Sequence, residues 1–360
     1  MVSYAGRKIL VTGGTGLIGG RLAERLAVEE QAKVRVLVRD WRKAVWISRA
    51  NVELVQGDVR ERDSVLQAMQ GCEIVFHCAA SAGTRDECMS TNVDGTRNVL
   101  QCAAALSVER VVYLSSVAVH GPTPPDNANE QDELRPSGDP YADSKIAAEK
   151  VVWQFWHQCR LPVVVIRPAP VWGPRGASFT LWPLRRMKSG QWLLVDHGRG
   201  TCNAVYIDNL VDALLLAGMK ESAVGEAFLI TDGQPCSWAE FFGHYARMLG
   251  IRELRSTGLL SARLTLATTE RVDRLLYKLQ HTPEREPARI LVRAFRRGLR
   301  IIRRPLGRFA VFGSWEVAKY AHRGKLNVSK ARSLLGYTPR LTLNEGMRET
   351  EVWLRDQRLI

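Results

Sequence analysis

The sequence predicts an α/β protein: a doubly wound parallel sheet, then a smaller C-terminal α/β lobe with an inserted basic helical segment. Three observations predict it. A strand, a glycine turn and a helix follow one another near the N-terminus, in "KILV", "TGGTGLIGG" and "RLAERLAVEE". Short apolar runs then alternate with helical patterns, as they do in a parallel sheet covered on both faces. The charge is uneven. The net is +14 over 360 residues, and residues 251–325 alone hold 18 Lys/Arg against 6 Asp/Glu, so the remainder is near neutral. The basicity is therefore a local insertion. A hydrophobic content of 46% and a charged content of 24% are ordinary, and 360 residues suffice for two lobes.

The first strand leads into Gly13, Gly16 and Gly19. Glycine is needed where the backbone turns with positive φ, and where it approaches a pyrophosphate with no Cβ in the way. The amides opening the next helix face the phosphates, and the helix dipole favours negative charge there. Thr15, Leu17 and Ile18 share that surface. Placed between strand and helix, the triplet reads as a dinucleotide site. The second strand, "KVRVLVRD", ends in Val38, Arg39 and Asp40. An acid at position 38 would take the ribose 2′-hydroxyl of NAD. The position is apolar and the Arg39 guanidinium suits a 2′-phosphate, so NADP is preferred over NAD. "VELVQGDV" is the third strand, with Asp58 suited to the adenine amino group and Val59 beside it. "EIVFHCAA" is the fourth, and its small Ala79 and Ala80 let a cofactor lie across the strand end. "TNVDGTRNVLQCAAA" is the following helix, and "RVVYLSSVAVHG" the fifth strand, with Ser115 and Ser116 at its end.

"PYADSK" places Tyr141 and Lys145 four apart, on one face of a helix. An ammonium near a phenol favours the phenolate and is expected to lower its pKa from about 10 toward working pH. Tyr141 can then pass a proton to or from a substrate oxygen while a hydride moves, and Ser116 can hold the same oxygen.

These stretches carry a resemblance. "TGGTGLIG", "HCAA", "TNVDGT", "LSSVAVHG", "YADSK", "RPAPVWGP", "VYIDNLVDALLLA" and "NVSKARSLLGYTP" follow one another in the order and spacing of one family. Over nearly its whole length the chain resembles the extended short-chain dehydrogenase/reductase superfamily, the NAD-dependent epimerase/dehydratase family. The resemblance implies a Rossmann-type dinucleotide-binding domain over 1–166, to which 201–219 returns, and a mainly substrate-binding lobe over 167–360. The basic helical insertion covers 255–325 of that lobe. It implies Ser116, Tyr141 and Lys145 as the catalytic triad and Asn92 as the supporting helix asparagine. It places the backbone of Arg167 to Val171, including Pro168, near the nicotinamide carboxamide.

Departures from the family pattern bear on the substrate. Sugar-nucleotide enzymes usually carry an arginine where "GTCNAVYID" has Cys202, and an asparagine where "RPAPVWGP" has Pro170. Sugar dehydratases place Asp-Glu shortly after the catalytic hydroxyl, where Val117 and Ala118 stand. The usual anionic anchors and second acid/base are absent, and the chain looks closer to the 3β-hydroxysteroid and sterol dehydrogenase branch. His120 and Trp172 are candidate walls of the substrate pocket, each with a packing role as its alternative. Asp208 is expected to cap a strand-to-helix turn. Seven scattered cysteines without a CxxC pair, and His77 and His197 without ligand-like spacing, give no metal site and no disulfide framework.

The expected function is an NADP- or NAD-dependent oxidoreductase interconverting a hydroxyl and a ketone on a largely apolar, steroid- or lipid-like substrate. Its rivals are a nucleotide-sugar epimerase or dehydratase anchoring its diphosphate through Arg175 or Arg199, and a nonenzymatic dinucleotide-binding regulator. The cytoplasm is the expected location, since the N-terminus enters a strand at once. A homodimer is left open. One segment remains. "ARILVRAFRRGLRIIRRP", residues 288–305, has seven arginines and no acid. It lacks the interleaved aromatics of a single-strand nucleic-acid platform, so no nucleic-acid partner is expected. Arginines opposite Phe, Leu and Ile suit a helix lying in an anionic membrane interface, where each basic residue contributes about 1 kcal/mol. Residues 255–310 are accordingly expected to form a basic helical cap, with a peripheral membrane position as its corollary.

Overall fold

The computed structural model describes residues 3–281 and 312–360. The chain packs as two compact units. Of the described residues, the larger holds 3–180, 203–235 and 324–359; the smaller holds 181–202, 236–281 and 312–323.

The larger unit is built on a seven-stranded sheet. In chain order its strands are β1 (Lys8–Thr12), β2 (Lys33–Val38), β3 (Val52–Gln56), β4 (Ile74–His77), β5 (Arg110–Leu114), β6 (Val163–Pro168) and, later, β11 (Glu226–Ile230). All pair in parallel, in the order β11-β6-β5-β4-β1-β2-β3. Parallel strands buried on both faces read as continuous apolar runs. So β4, β5 and β6 are buried at every position. Helices α1 (Leu17–Val28), α2 (Arg62–Met69), α3 (Arg85–Cys88), α4 (Gly95–Ala105), α5 (Pro140–Cys159) and α7 (Ile207–Met219) connect them. On one side Val75, Val111, Val163 and Val165 form a core with Val65 of α2, Val99 of α4 and Val152 of α5. Strand order reverses between β1 and β4, which is where open α/β sheets bind ligands. A short parallel pair, β7 (Val171–Trp172) with β10 (Val205–Tyr206), lies beyond β6.

The sheet runs past the boundary expected at 166/167. β6 spans that point, and β11 adds an edge strand that the alternation of the N-terminal half did not announce. The return to the sheet unit covers 203–235 rather than 201–219, and 324–359 joins it as well. Asp208 is also not the expected cap. Tyr206 is the N-cap of α7, while Asp208 lies in the first turn and accepts from Arg21 of α1 at 2.6 Å.

The smaller unit contains α6 (Trp182–Lys188), α8 (Trp238–Met248), α9 (Leu259–His281) and α10 (Ser314–Ala321). Two short strand pairs join them: β8 (Leu194–Val195) with β13 (Ser256–Thr257), and β9 (Thr201–Cys202) with β12 (Cys236–Ser237). Its core is aromatic. Trp192 packs edge-on against Phe242 at 4.5 Å and Phe312 at 5.5 Å, and Trp238 against Tyr320 at 4.8 Å. The helix α9 lies within the basic insertion; residues 288–305 fall outside the described residues. Among the described residues no helix is long and apolar enough to cross a membrane.

Candidate active site

The catalytic set expected from the sequence comes together at the C-terminal end of β5. The strand ends at Leu114, and Ser115 and Ser116 follow at its carboxyl edge. Ser116 then caps a short turn over Val117–His120, accepting from the amide of Ala118 at 3.1 Å. Asp139 caps α5 by accepting from Ala142 N at 2.8 Å, and Pro140 occupies the first turn, where a missing N–H costs nothing. Tyr141 therefore enters the helix at a defined angle. Its phenol lies beside the Ser116 hydroxyl. Lys145 lies one turn along and is buried. Its ammonium donates to the Leu114 carbonyl at 2.7 Å and sits 6.0 Å from the centre of the Tyr141 ring.

The electrostatics differ from expectation at Tyr141. Burial pushes its phenol above the ordinary value, and the Ser116 hydroxyl beside it opposes this. The Lys145 ammonium, the expected depressor, donates to the Leu114 carbonyl. Burial in turn lowers Lys145 to about 8, opposed by the Glu149 carboxylate.

Asn92 lies in a π-helical turn, Met89–Asp94, that precedes α4. Its amide nitrogen donates to the Ser81 carbonyl at 2.9 Å and to Ser144 Oγ at 2.8 Å, and its oxygen accepts from Ser81 N at 2.7 Å. Asn92 thus ties the loop after β4 to the helix carrying Tyr141. Ser115 points inward, donating to Glu149 at 2.5 Å. Glu149 is paired with Arg167 of β6 at 2.7 Å, both buried. His120 is buried against this pair, with its Nε2 3.3 Å from Arg167 Nη1. Burial and Arg167 lower it to about 4, so the ring is neutral. His120 is therefore an interior residue and not a pocket wall. The same correction applies to Trp172, which is fully buried with its ring 4.8 Å from that of Tyr206. Core packing accounts for both residues.

The glycine turn lies where the sheet order reverses, and the other cofactor candidates stand at the ends of neighbouring strands. Gly13 has φ +69°, and a Cβ on it would stand 2.6 Å from Ala79 N. A Cβ on Gly19 would stand 2.6 Å from the Gly13 carbonyl. Only glycine fits either place, so the turn is held tightly against the end of β4. Gly16 is exposed, and Thr15, Leu17, Ile18 and Ala79 are half-buried around it, with Ala80 exposed beside them. At the end of β2, Val38 is buried and the Arg39 side chain is exposed, its guanidinium 3.9 Å from Asp58. Arg60 binds the same carboxylate at 2.6 Å and holds it below the usual carboxylate range. Val59 is buried under Gly95, and Pro168 and Val171 end β6 and begin β7.

Sequence reasoning missed the residues behind this set: Tyr113, Thr96, His77, Thr12 and Glu149. Glu149 left a signal, an acid four residues after Lys145 on an otherwise apolar helix face. The others lie on four different elements and left none.

A family model described as "NAD dependent epimerase/dehydratase family" matches residues 9–231. A 4-hydroxy-2-methyl-3-oxo-4-farnesyl-3,4-dihydroquinoline-1-oxide ketoreductase from Stigmatella aurantiaca is 28% identical, covering 94% of this chain and 94% of its own. A 2-alkyl-3-oxoalkanoate reductase from Stenotrophomonas maltophilia (strain K279a) is 32% identical over 68% of this chain and 76% of its own. A 3beta-hydroxysteroid-dehydrogenase/decarboxylase from Arabidopsis thaliana, isoform 1, is 26% identical over 97% and 80%. Among solved structures, the UDP-glucose 4-epimerase of Thermotoga maritima superposes with a TM-score of 0.73 at 21% identity, covering 98% of this chain and 99% of that one. At that identity the likeness is one of fold.

Proposed function

The chain belongs to the NAD-dependent epimerase/dehydratase family and is an oxidoreductase acting on CH–OH groups, and from that premise we propose that it interconverts a hydroxyl and a ketone on a largely apolar, steroid- or lipid-like substrate, with NADP preferred. The observation that carries the chemistry is the meeting of the Ser116 hydroxyl and the Tyr141 phenol, with Lys145 one turn along. The phenol is protonated at neutral pH, so in the reducing direction Tyr141 donates its proton to the carbonyl oxygen. Ser116 holds that oxygen, and Asn92 fixes the helix start. The glycine turn against Ala79 fits a dinucleotide, with the opening of α1 toward its phosphates. When bound, the nicotinamide supplies or accepts the hydride.

Two observations support an apolar substrate. The anchors available to a nucleotide-sugar diphosphate are engaged elsewhere: Arg199 pairs with Asp196 at 2.5 Å, and Arg175 stacks over Trp46 at 4.3 Å. Cys202, which stands where such enzymes carry an arginine, is buried. NADP is supported by Arg39 and Arg60, two guanidinium groups around the single carboxylate of Asp58. The basic insertion is read as a docking surface for an anionic membrane, from which such a substrate would be drawn. On α9, Leu260 and Leu264 are 72% and 60% exposed, with exposed Arg263 beside them.

The test is turnover of a 2-alkyl-3-oxo acid and of a 3-oxosteroid with NADPH, against UDP-glucose with NAD. Reduction of an apolar ketone is expected. Epimerisation of the sugar nucleotide without any ketone reduction would overturn the reading.

A further inference from the structure

We propose that Tyr113 is a positioning residue for Lys145, with its ring face and phenol oxygen holding the lysine ammonium, and that a buried chain of Thr96, His77 and Thr12 holds Tyr113. The proposal rests on the Ser116–Tyr141–Lys145 reading above. Tyr113 lies on β5, three residues before Ser116, and is 1% exposed. The Lys145 ammonium sits 5.0 Å above the centre of its ring and 3.5 Å from its oxygen. The Leu114 carbonyl, at 2.7 Å, takes a second proton of the same ammonium. A lysine has four rotatable side-chain bonds, so these three contacts, all from one strand, select its conformation.

The chain behind Tyr113 has a fixed direction. Thr96 Oγ1 lies 2.5 Å from the Asn92 carbonyl, which can only accept, so Thr96 donates there. His77 Nε2, 3.0 Å from the same Oγ1, must then carry a proton and donate to it. That leaves His77 Nδ1 as an acceptor, filled by the Thr12 hydroxyl at 2.7 Å. Thr12 Oγ1 in turn accepts from Ala79 N at 3.2 Å. Every donor points from the glycine turn and β4 toward the π-helical turn. The scheme requires neutral His77, and burial with nearby Lys145 lowers that ring to about 3. The His77 ring is 5.8 Å from that of Tyr113, whose phenol lies beside the Thr96 hydroxyl. The alanine amide under the cofactor turn is thereby linked to the lysine beside the catalytic tyrosine.

The groups facing Lys145 are His77 and Cys78 from the end of β4, Cys88 of α3, Tyr113 of β5, and Tyr141 and Glu149 of α5. Burial opposes the charged lysine, and the Glu149 carboxylate favours it. The Tyr113 oxygen also favours the charged form, because an ammonium donates more strongly than an amine. Removing that oxygen lowers the Lys145 pKa. Activity that needs the ammonium then fails at lower pH on the alkaline side.

Tyr113→Phe keeps the ring and removes only the oxygen. The readout is a carbon-13 lysine NMR titration of the full chain without cofactor, with the Lys145 signal assigned by its loss in Lys145→Met. A downward shift of about half a unit is expected, roughly threefold in the dissociation constant. The alkaline limb of the kcat profile should move by the same amount. Thr96→Val, which removes a hydroxyl without touching Lys145, should shift both readouts the same way by less. A purely structural role would lower the melting temperature and leave both readouts in place. An unchanged Lys145 pKa in a folded Tyr113→Phe, or in Thr96→Val if Tyr113→Phe does not fold, overturns the proposal. Full turnover in Lys145→Met alongside a shifted pKa in Tyr113→Phe would instead sink the catalytic reading and leave the positioning role standing.

Discussion

Tyr141 and Arg39 make the same point at the level of single side chains: the group that matters is the one whose neighbours leave it available. Burial raises the Tyr141 phenol above its ordinary value, so in the proposed chemistry it acts as the proton donor at neutral pH. Tyr141→Phe removes that proton and little else. Its kcat is expected to fall by about 10²- to 10⁴-fold, the usual contribution of a positioned acid, with cofactor affinity within about twofold. Steady-state kinetics and a cofactor titration check this, and turnover within tenfold of the parent would show that the proton comes from elsewhere. Arg39 is exposed and shares Asp58 with Arg60. Arg39→Ala should weaken NADP by about tenfold or more, the size of one lost charge-assisted hydrogen bond, and leave NAD nearly unchanged. Equal losses for both cofactors would reduce Arg39 to a strand-end residue.

At the level of elements, the parts of the site readable from sequence are those that local sterics or one helix dictate. Gly13 is legible because no other residue fits a φ of +69° with a neighbour at 2.6 Å. Tyr141 and Lys145 are legible because four residues return a helix to the same face. The assembly behind them is not, because Thr12, His77, Thr96 and Tyr113 meet only through the order β5-β4-β1 and the placement of α4. The misjudged Tyr141 pKa has the same origin. Helical spacing placed the lysine nearby, but the carbonyl that claims its ammonium belongs to β5. Trp172 and His120 stay open in the sequence between pocket wall and core, because nothing in their spacing separates a buried aromatic from a lining one. Glu149 shows what such hidden contacts are worth. It is fully buried and joins α5 to β6 through Arg167 and to the end of β5 through Ser115. Glu149→Ala leaves a buried guanidinium unpaired and should cost about 3–5 kcal/mol of stability. Denaturant unfolding checks this; a loss below about 1 kcal/mol would mean that water reaches Arg167.

For the whole molecule, the uneven charge is the feature on which the proposed membrane docking rests. Residues 251–325 hold most of the net +14, and the described part of that stretch already presents apolar side chains to solvent. Leu260, Leu264 and Tyr277 of α9 are 72%, 60% and 63% exposed, and Arg263, Arg271 and Arg274 are exposed on the same helix. Exposed leucine beside arginine is a poor water-facing surface and a good lipid-facing one, since the apolar groups partition while the cations meet lipid phosphate. Nine arginines and two glutamates follow in residues 282–311. Each cation near an anionic leaflet adds about 1 kcal/mol, and the attraction weakens as the Debye length shrinks from about 10 Å at 0.1 M salt to 3 Å at 1 M. The expected outcome is co-sedimentation of the full chain with vesicles containing phosphatidylserine at low salt, much weaker binding at 1 M salt, and little binding to neutral vesicles. Leu260→Ser/Leu264→Ser should weaken binding at both salt concentrations, because it removes the uncharged part of the contact. Failure to bind either vesicle would sink the membrane reading. Binding to DNA with a steep salt slope, and to no vesicle, would assign the arginines to a polyanion instead.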